Sequence, residues 1–189
     1  MACKYRLCAA LIAGLLSAHA GAADLTLSAS SSPATVGTSV SIDVLLSGVS
    51  DLYAYQYSLS FDPTVVQFTT GSEGTFLSSG GSTFFDIGTV DNTAGTISFS
   101  FNSLIGAIPG VSGGGSLATL NFNVVAAGSS TFAFSDVLFL NSNFGDVTVQ
   151  SGNLVLQAVA VPEPASVLLF GAGLIGVAAL RRRKTAETV

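Results

Sequence analysis

The chain has 189 residues, 49% of them hydrophobic and only 9% charged, with a formal net charge of −5. All six cations (Lys4, Arg6, Arg181, Arg182, Arg183, Lys184), both cysteines (Cys3, Cys8) and the one histidine (His19) lie near the two ends, leaving nine acids and no base between them. That middle region has nothing to neutralise phosphates, no imidazole, amine or thiol for a nucleophilic triad, and no nitrogen or sulfur ligand for zinc, so nucleic-acid binding and most hydrolytic chemistry are excluded.

The N-terminus reads as an export signal. Lys4 and Arg6 are followed by an apolar stretch from Leu7 to Ala18 and by the small residues Ala18 to Ala23, which offer signal peptidase cleavage sites after Ala20, Ala22 or Ala23. Residues 1–23 are therefore assigned to a signal peptide, and 24–160 to one globular domain of ordinary size.

Within that domain, period-two alternation predicts strands at Val40 to Leu46, Tyr53 to Phe61 and Ile97 to Phe101. Further strands are expected at Leu25 to Ser30, Val65 to Thr69, Phe84 to Val90, Leu117 to Val125, Thr131 to Leu140 and Asn153 to Val159. Turn clusters separate them, among them Asp62-Pro63, Gly71 to Gly74, Asp91 to Gly95 and Gly113 to Gly115. Nine short strands at this spacing predict an all-β sandwich. Tyr53, Tyr55 and Tyr57 share a face with Leu59 and Phe61, so the stripe reads as core and not as a sugar platform. By the same rule Ser98, Ser100, Thr119, Asn121, Asn123, Thr131 and Ser135 face outward.

Residues 161–189 form a third region. Pro162, Glu163 and Pro164 precede an uncharged run from Ala165 to Leu180, which Arg181, Arg182, Arg183 and Lys184 then stop. The basic cluster fixes orientation, keeping the tail cytoplasmic and exporting everything before it. A helix over 165–180 reaches about 24 Å against a hydrocarbon core of roughly 30 Å, which suits a transient anchor. Inside it, Gly171 to Gly176 matches a dinucleotide-binding glycine string, but no βαβ unit surrounds it.

The tail resembles the PEP-CTERM sorting signal of exopolysaccharide-producing Gram-negative bacteria. That resemblance implies that Pro162, Glu163 and Pro164 are a recognition element for an exosortase-type protease, that 165–180 is a transmembrane helix, and that Arg181 to Lys184 are its stop. The protein would pass through the inner membrane to the cell surface or extracellular matrix.

The segments Pro33 to Ile42, Leu59 to Val66, Gly95 to Ile97 and Leu117 to Phe122 resemble the bacterial cohesin domain over about Leu25 to Val159. The resemblance implies a nine-stranded jelly-roll sandwich and non-catalytic attachment, to a dockerin-bearing protein or to carbohydrate. In dockerin-binding cohesins one sheet face carries polar and charged groups on the strand ahead of the Asp-Pro turn. The matching positions, Ala54, Gln56, Ser58 and Ser60, form the candidate binding face and are all uncharged.

No cofactor is expected. Oxygen ligands alone suit calcium, and Asp86, Asp91 and Asn92 leave a structural calcium open as an alternative to ordinary turn chemistry. The main reading is an exported binding or scaffolding protein. One alternative is a self-associating matrix protein, because strands without lysine lack a common guard against edge pairing. The other is a glycoside hydrolase working with carboxylates alone.

Overall fold

The computed structural model describes residues 22–161. The signal peptide up to residue 21, the Pro-Glu-Pro element, the helix over 165–180, the glycine string and the basic cluster lie outside the described residues. The strands are β1 (Ala23–Ala29), β2 (Ala34–Thr35), β3 (Ser39–Ser60), β4 (Val66–Glu73), β5 (Thr83–Asp86), β6 (Thr89–Asp91), β7 (Thr96–Leu104), β8 (Val111–Val124), β9 (Gly128–Asn141), β10 (Val149–Ser151) and β11 (Leu154–Val159). One short helix, α1 (Thr75–Ser78), follows β4.

Strand β3 organises both layers. Its first half pairs antiparallel with β1 and β8, and β10 and β4 extend that layer at its two edges. Its second half pairs with β9 on one side and β7 on the other, flanked by β11 and β2 beyond β9 and by β5 and β6 beyond β7. The crossing falls where Gly48 and Asp51 take left-handed backbone angles, φ 72° and 57°. Val40, Ile42, Val44 and Leu46 point inward before it, and Tyr55, Tyr57, Leu59 and Phe61 after it. The side-chain parity has changed, as one strand needs in order to serve two facing sheets.

The expected nine strands are corrected to eleven among the described residues: β2 and β10 are short strands not expected from the sequence, while one fusion and one division elsewhere cancel. The two strands expected at Val40 to Leu46 and Tyr53 to Phe61 are one, β3, which runs on from Ser39 to Ser60 with its register against β8 shifting between Leu46 and Val49 and again before Leu52. Gly88 (φ 77°) divides the expected Phe84 to Val90 strand into β5 and β6. The expected turn at Gly113 to Gly115 lies within β8. A side chain at Gly114 would meet the Leu46 carbonyl, so glycine there lets two strands approach closely. Strand β1 starts at Ala23, the last residue of the segment expected to be the signal peptide. Ala23 is buried in β1, and its N–H donates to the Thr148 carbonyl (3.1 Å).

Gly37 has φ 85° between β2 and β3. The Asp62-Pro63 turn follows the sequence reading closely. The Asp62 carboxylate accepts from the Thr64 N–H (2.9 Å) and hydroxyl (2.6 Å), closing the Asp-Pro turn. The core between the layers is rich in aromatic rings: Phe122 meets Phe61, Phe68 and Phe132 edge-on, with centroids 5.1 to 5.6 Å apart.

Candidate binding face

The second half of β3 runs through the middle of its layer, so what surrounds Ala54, Gln56, Ser58 and Ser60 is set by β7 and β9. Both neighbours carry a β-bulge at the same level. On β7, Tyr57 pairs with Ser100 but Leu59 with Ile97, so Ser98 and Phe99 together oppose Ser58. On β9, Gln56 pairs with Leu138 but Ser58 with Ser135, so Asp136 and Val137 together oppose Tyr57. Each bulge contains a left-handed non-glycine residue, Phe99 at φ 58° and Asp136 at φ 50°.

An inserted residue reverses every side chain beyond it. Ile97 points into the core, but past the bulge Ser100 and Asn102 are fully buried while Phe99 and Phe101 turn outward. This corrects the expectation that Ser100 faces solvent. Past the bulge in β9, Phe139 is buried and Leu138 is 43% exposed, with Leu140 on the same face. Phe84 of β5 is opposite Ser103, 58% exposed, and packs against Phe101 with ring centroids 5.6 Å apart. Gly88 admits the β5–β6 connection beside the bulge, since any side chain there would strike the Ser98 and Phe99 carbonyls.

The result is an apolar face where the sequence promised a polar one. Ala54, Gln56, Phe101, Ser103, Leu138 and Leu140 line a shallow groove of about 160 Å³, with Phe84 and Phe99 exposed on the same layer. Of the four residues assigned to the face, Ala54 and Gln56 belong to the groove. Ser60 is exposed and donates to the Ala133 carbonyl (3.3 Å). Ser58 is not available: it is 7% exposed, and its hydroxyl oxygen accepts from the Phe99 N–H (3.1 Å), holding the bulge in place. Phe84, Phe99, Phe101, Leu138 and Leu140 were missed. The left-handed bulges that expose them leave no mark in an alternating pattern.

Beneath the face, the polar groups that the β7 bulge turned inward meet the tyrosines. Tyr55 donates to the Leu117 carbonyl (2.8 Å), and Asn102 donates to the Glu73 carboxylate (2.8 Å). The Tyr57 hydroxyl and the Asn102 side-chain oxygen are buried without a partner. Burial pushes the Tyr57 phenol up to about 12, moderated by nearby Ser100, and raises Tyr55 as well, with the neighbouring Tyr57 adding to the effect.

The residues weighed for calcium are occupied with their own turns. Asp86 accepts from the Gly88 N–H (2.7 Å), and Asp91 from the Thr93 and Ala94 N–H groups (2.7 and 2.9 Å). The last two bonds, Ala94 first, hold the Asp91 carboxyl below its ordinary range. Asn92 reaches across to β4, accepting from the Phe68 N–H (2.8 Å) and donating to the Phe68 carbonyl (3.0 Å). Among the described residues no group of three or more His, Cys, Asp or Glu side chains is placed to hold a metal ion.

Comparisons with known proteins fit this architecture. The family model described as "Cohesin domain" matches residues 25–156, and that of the "PEP-CTERM protein-sorting motif" matches 160–184. Among solved structures, the second type II cohesin module of the adaptor scaffoldin ScaA of Acetivibrio cellulolyticus is similar, with TM-score 0.63 and 17% identity, covering 75% of this chain and 93% of that one. A non-cellulosomal cohesin from the archaeon Archaeoglobus fulgidus gives TM-score 0.60 at 17% identity, with coverages of 74% and 92%. The sixth cohesin of scaffoldin B of A. cellulolyticus, solved in complex with a dockerin, gives 0.58 at 18% identity, with coverages of 74% and 100%. No curated protein matches.

Proposed function

This chain belongs to the cohesin family and ends in a PEP-CTERM sorting motif, and from that premise we propose that it captures a dockerin-type protein through the apolar face of β3, β7 and β9. Cohesin domains are non-catalytic binding modules, and the sorting motif marks the protein as exported and surface-sorted, so the coarse function is binding or scaffolding outside the cell. The finer reading rests on one observation. Paired bulges beside Ser58 turn Phe99, Phe101, Leu138 and Leu140 out of the core and onto one solvent face. Aromatic and aliphatic groups clustered around a groove are what a partner helix buries, and they supply most of the affinity of such interfaces. A relative of the same fold is known in complex with a dockerin.

The processing steps belong to the same proposal. Signal peptidase cuts ahead of β1, an exosortase-type protease cuts near Pro162 to Pro164, and an inner-membrane intermediate of a Gram-negative envelope precedes release to the surface. Self-association into a matrix is less favoured, because Asn92 already occupies the backbone groups that Phe68 presents at the free edge of β4.

The test is capture from the exported proteins of the host on immobilised full-length chain, with Leu138→Glu and Phe101→Glu beside the unmodified protein. A dockerin-bearing protein should be retained by the unmodified chain and lost with either variant. Retention unaffected by both substitutions would move the binding site elsewhere.

A further inference from the structure

A second cleft lies at the pole of the sandwich where β3 crosses between layers. It measures about 470 Å³, within the range of small-ligand sites, and is lined by Tyr53, Ile108, Pro109, Ser142 and Phe144 together with the Gly106–Ala107 backbone. Its walls are fixed in advance. Asp51 accepts from the Gly110 N–H (2.8 Å), the Ser142 hydroxyl (2.7 Å) and the Ser142 N–H (3.3 Å), tying the 105–110 loop to the loop after β9. The Ser142 hydroxyl, then the Gly110 N–H, hold its carboxyl below the ordinary range. Gly110 is required there, since a side chain would strike the Asp51 carbonyl. Asn141 closes the second loop by accepting from the Asn143 and Gly145 N–H groups, both at 2.9 Å.

That rigid turn holds up a phenylalanine. Phe144 is 70% exposed, sits at φ 58° where a bulky side chain is rare, and has Tyr53 edge-on beneath it with centroids 5.6 Å apart. The hydroxyls in the cleft have already spent their protons, Tyr53 on the Gly106 carbonyl (2.7 Å) and Ser142 on Asp51. What remains is an aromatic surface beside oxygen acceptors. A fitting ligand brings an apolar C–H face and several O–H donors, and it cannot be anionic, because the domain has nine acids and no cation to receive it.

The geometry points to a neutral polysaccharide, one sugar ring stacked on Phe144 and its hydroxyls donating to Tyr53 and Ser142, at a site separate from the docking face. The chain leaves the sandwich at the opposite pole, where Val159 pairs with Thr35 and Ala158 with Gly128. The cleft therefore lies at the pole opposite the one where the last described strand ends.

Native gel electrophoresis of the full chain in a sugar-free detergent tests this, with neutral β-glucan, xylan or galactomannan, or anionic alginate, cast in the gel. At least one neutral polymer should retard the protein and alginate should not. Phe144→Ala should weaken the retardation at least tenfold with an unchanged melting temperature, whereas Phe144→Trp, which keeps a stacking surface, should preserve it. Leu138→Glu, which disables the docking face, should leave it intact. No retardation by any neutral polymer, equal retardation by alginate, or a Phe144→Ala protein migrating like the unmodified chain would overturn the assignment. Loss with Leu138→Glu but not with Phe144→Ala would overturn it too, placing the glycan on the sheet face.

Discussion

Tyr55 and Tyr57 are adjacent on one face of β3, stacked with centroids 6.0 Å apart, and yet removal of their hydroxyls should have opposite consequences. Tyr57 is fully buried and no hydrogen-bond partner is in place for its hydroxyl, while Ser100, across the strand pair, donates to the Asp86 carbonyl at 3.4 Å. A buried polar group left unsatisfied costs about 1–3 kcal/mol. Tyr57→Phe removes that group and keeps the ring, so the domain should gain roughly 1–2 kcal/mol, a rise of about 3–8 °C in melting temperature for a domain of this size. The Tyr55 hydroxyl donates to the Leu117 carbonyl, which also accepts from the Gly74 N–H (2.8 Å). Tyr55→Phe therefore leaves that carbonyl partnered and loses only the net bond, about 0.5–1.5 kcal/mol. Urea unfolding followed by tyrosine fluorescence and circular dichroism, with unchanged m-values, measures both. A Tyr57→Phe protein destabilised as much as Tyr55→Phe would refute the reasoning, since it would mean the hydroxyl is satisfied.

Three further outcomes are expected. Both tyrosines have raised pKa values in the folded state, so the native protein holds its phenolic protons longer than the unfolded chain. Stability is whole below pH 10 and falls as the pH rises through about 12, with Tyr57 alone withdrawing roughly 2–3 kcal/mol, and Tyr57→Phe should flatten that decline in denaturation curves recorded from pH 9 to 12. Asn92→Ala exposes the Phe68 N–H and carbonyl at the β4 edge, so sedimentation should show self-association that the unmodified chain lacks; a monomer at the same concentration would remove Asn92 as the guard. Mass spectrometry of the exported protein should find its N-terminus at Gly21 or Ala23 and not at Asp24, because a cut after Ala23 deletes a buried strand residue; a mature chain starting at Asp24 would contradict this.

The architecture was largely legible because it rests on local rules. Alternation marked Tyr55, Tyr57, Leu59 and Phe61 as core, and turn chemistry marked Asp62-Pro63, each for a local reason. Of the groove proposed as the docking face, the sequence marked only Ala54 and Gln56. Its apolar members depend on bulges at Phe99 and Asp136, which are set by pairing across strands far apart in sequence, and a period-two reading carries each strand straight through them. Tyr53 illustrates the same limit. It shares its parity with the buried tyrosines but sits beside the crossing of β3, where it is half-buried and lines the polar cleft. Phe144 had one readable sign, an aromatic side chain inside the turn cluster Asn141-Ser142-Asn143-Phe144-Gly145.

The docking face is tested most directly by photocrosslinking in intact cells, with a benzophenone amino acid in place of Gln56 and, as a control, in place of exposed Thr26 on the opposite layer. A dockerin-bearing exported protein crosslinked at position 56 and absent at position 26 is the predicted result. The same protein crosslinked at position 26 and not at position 56 would contradict it.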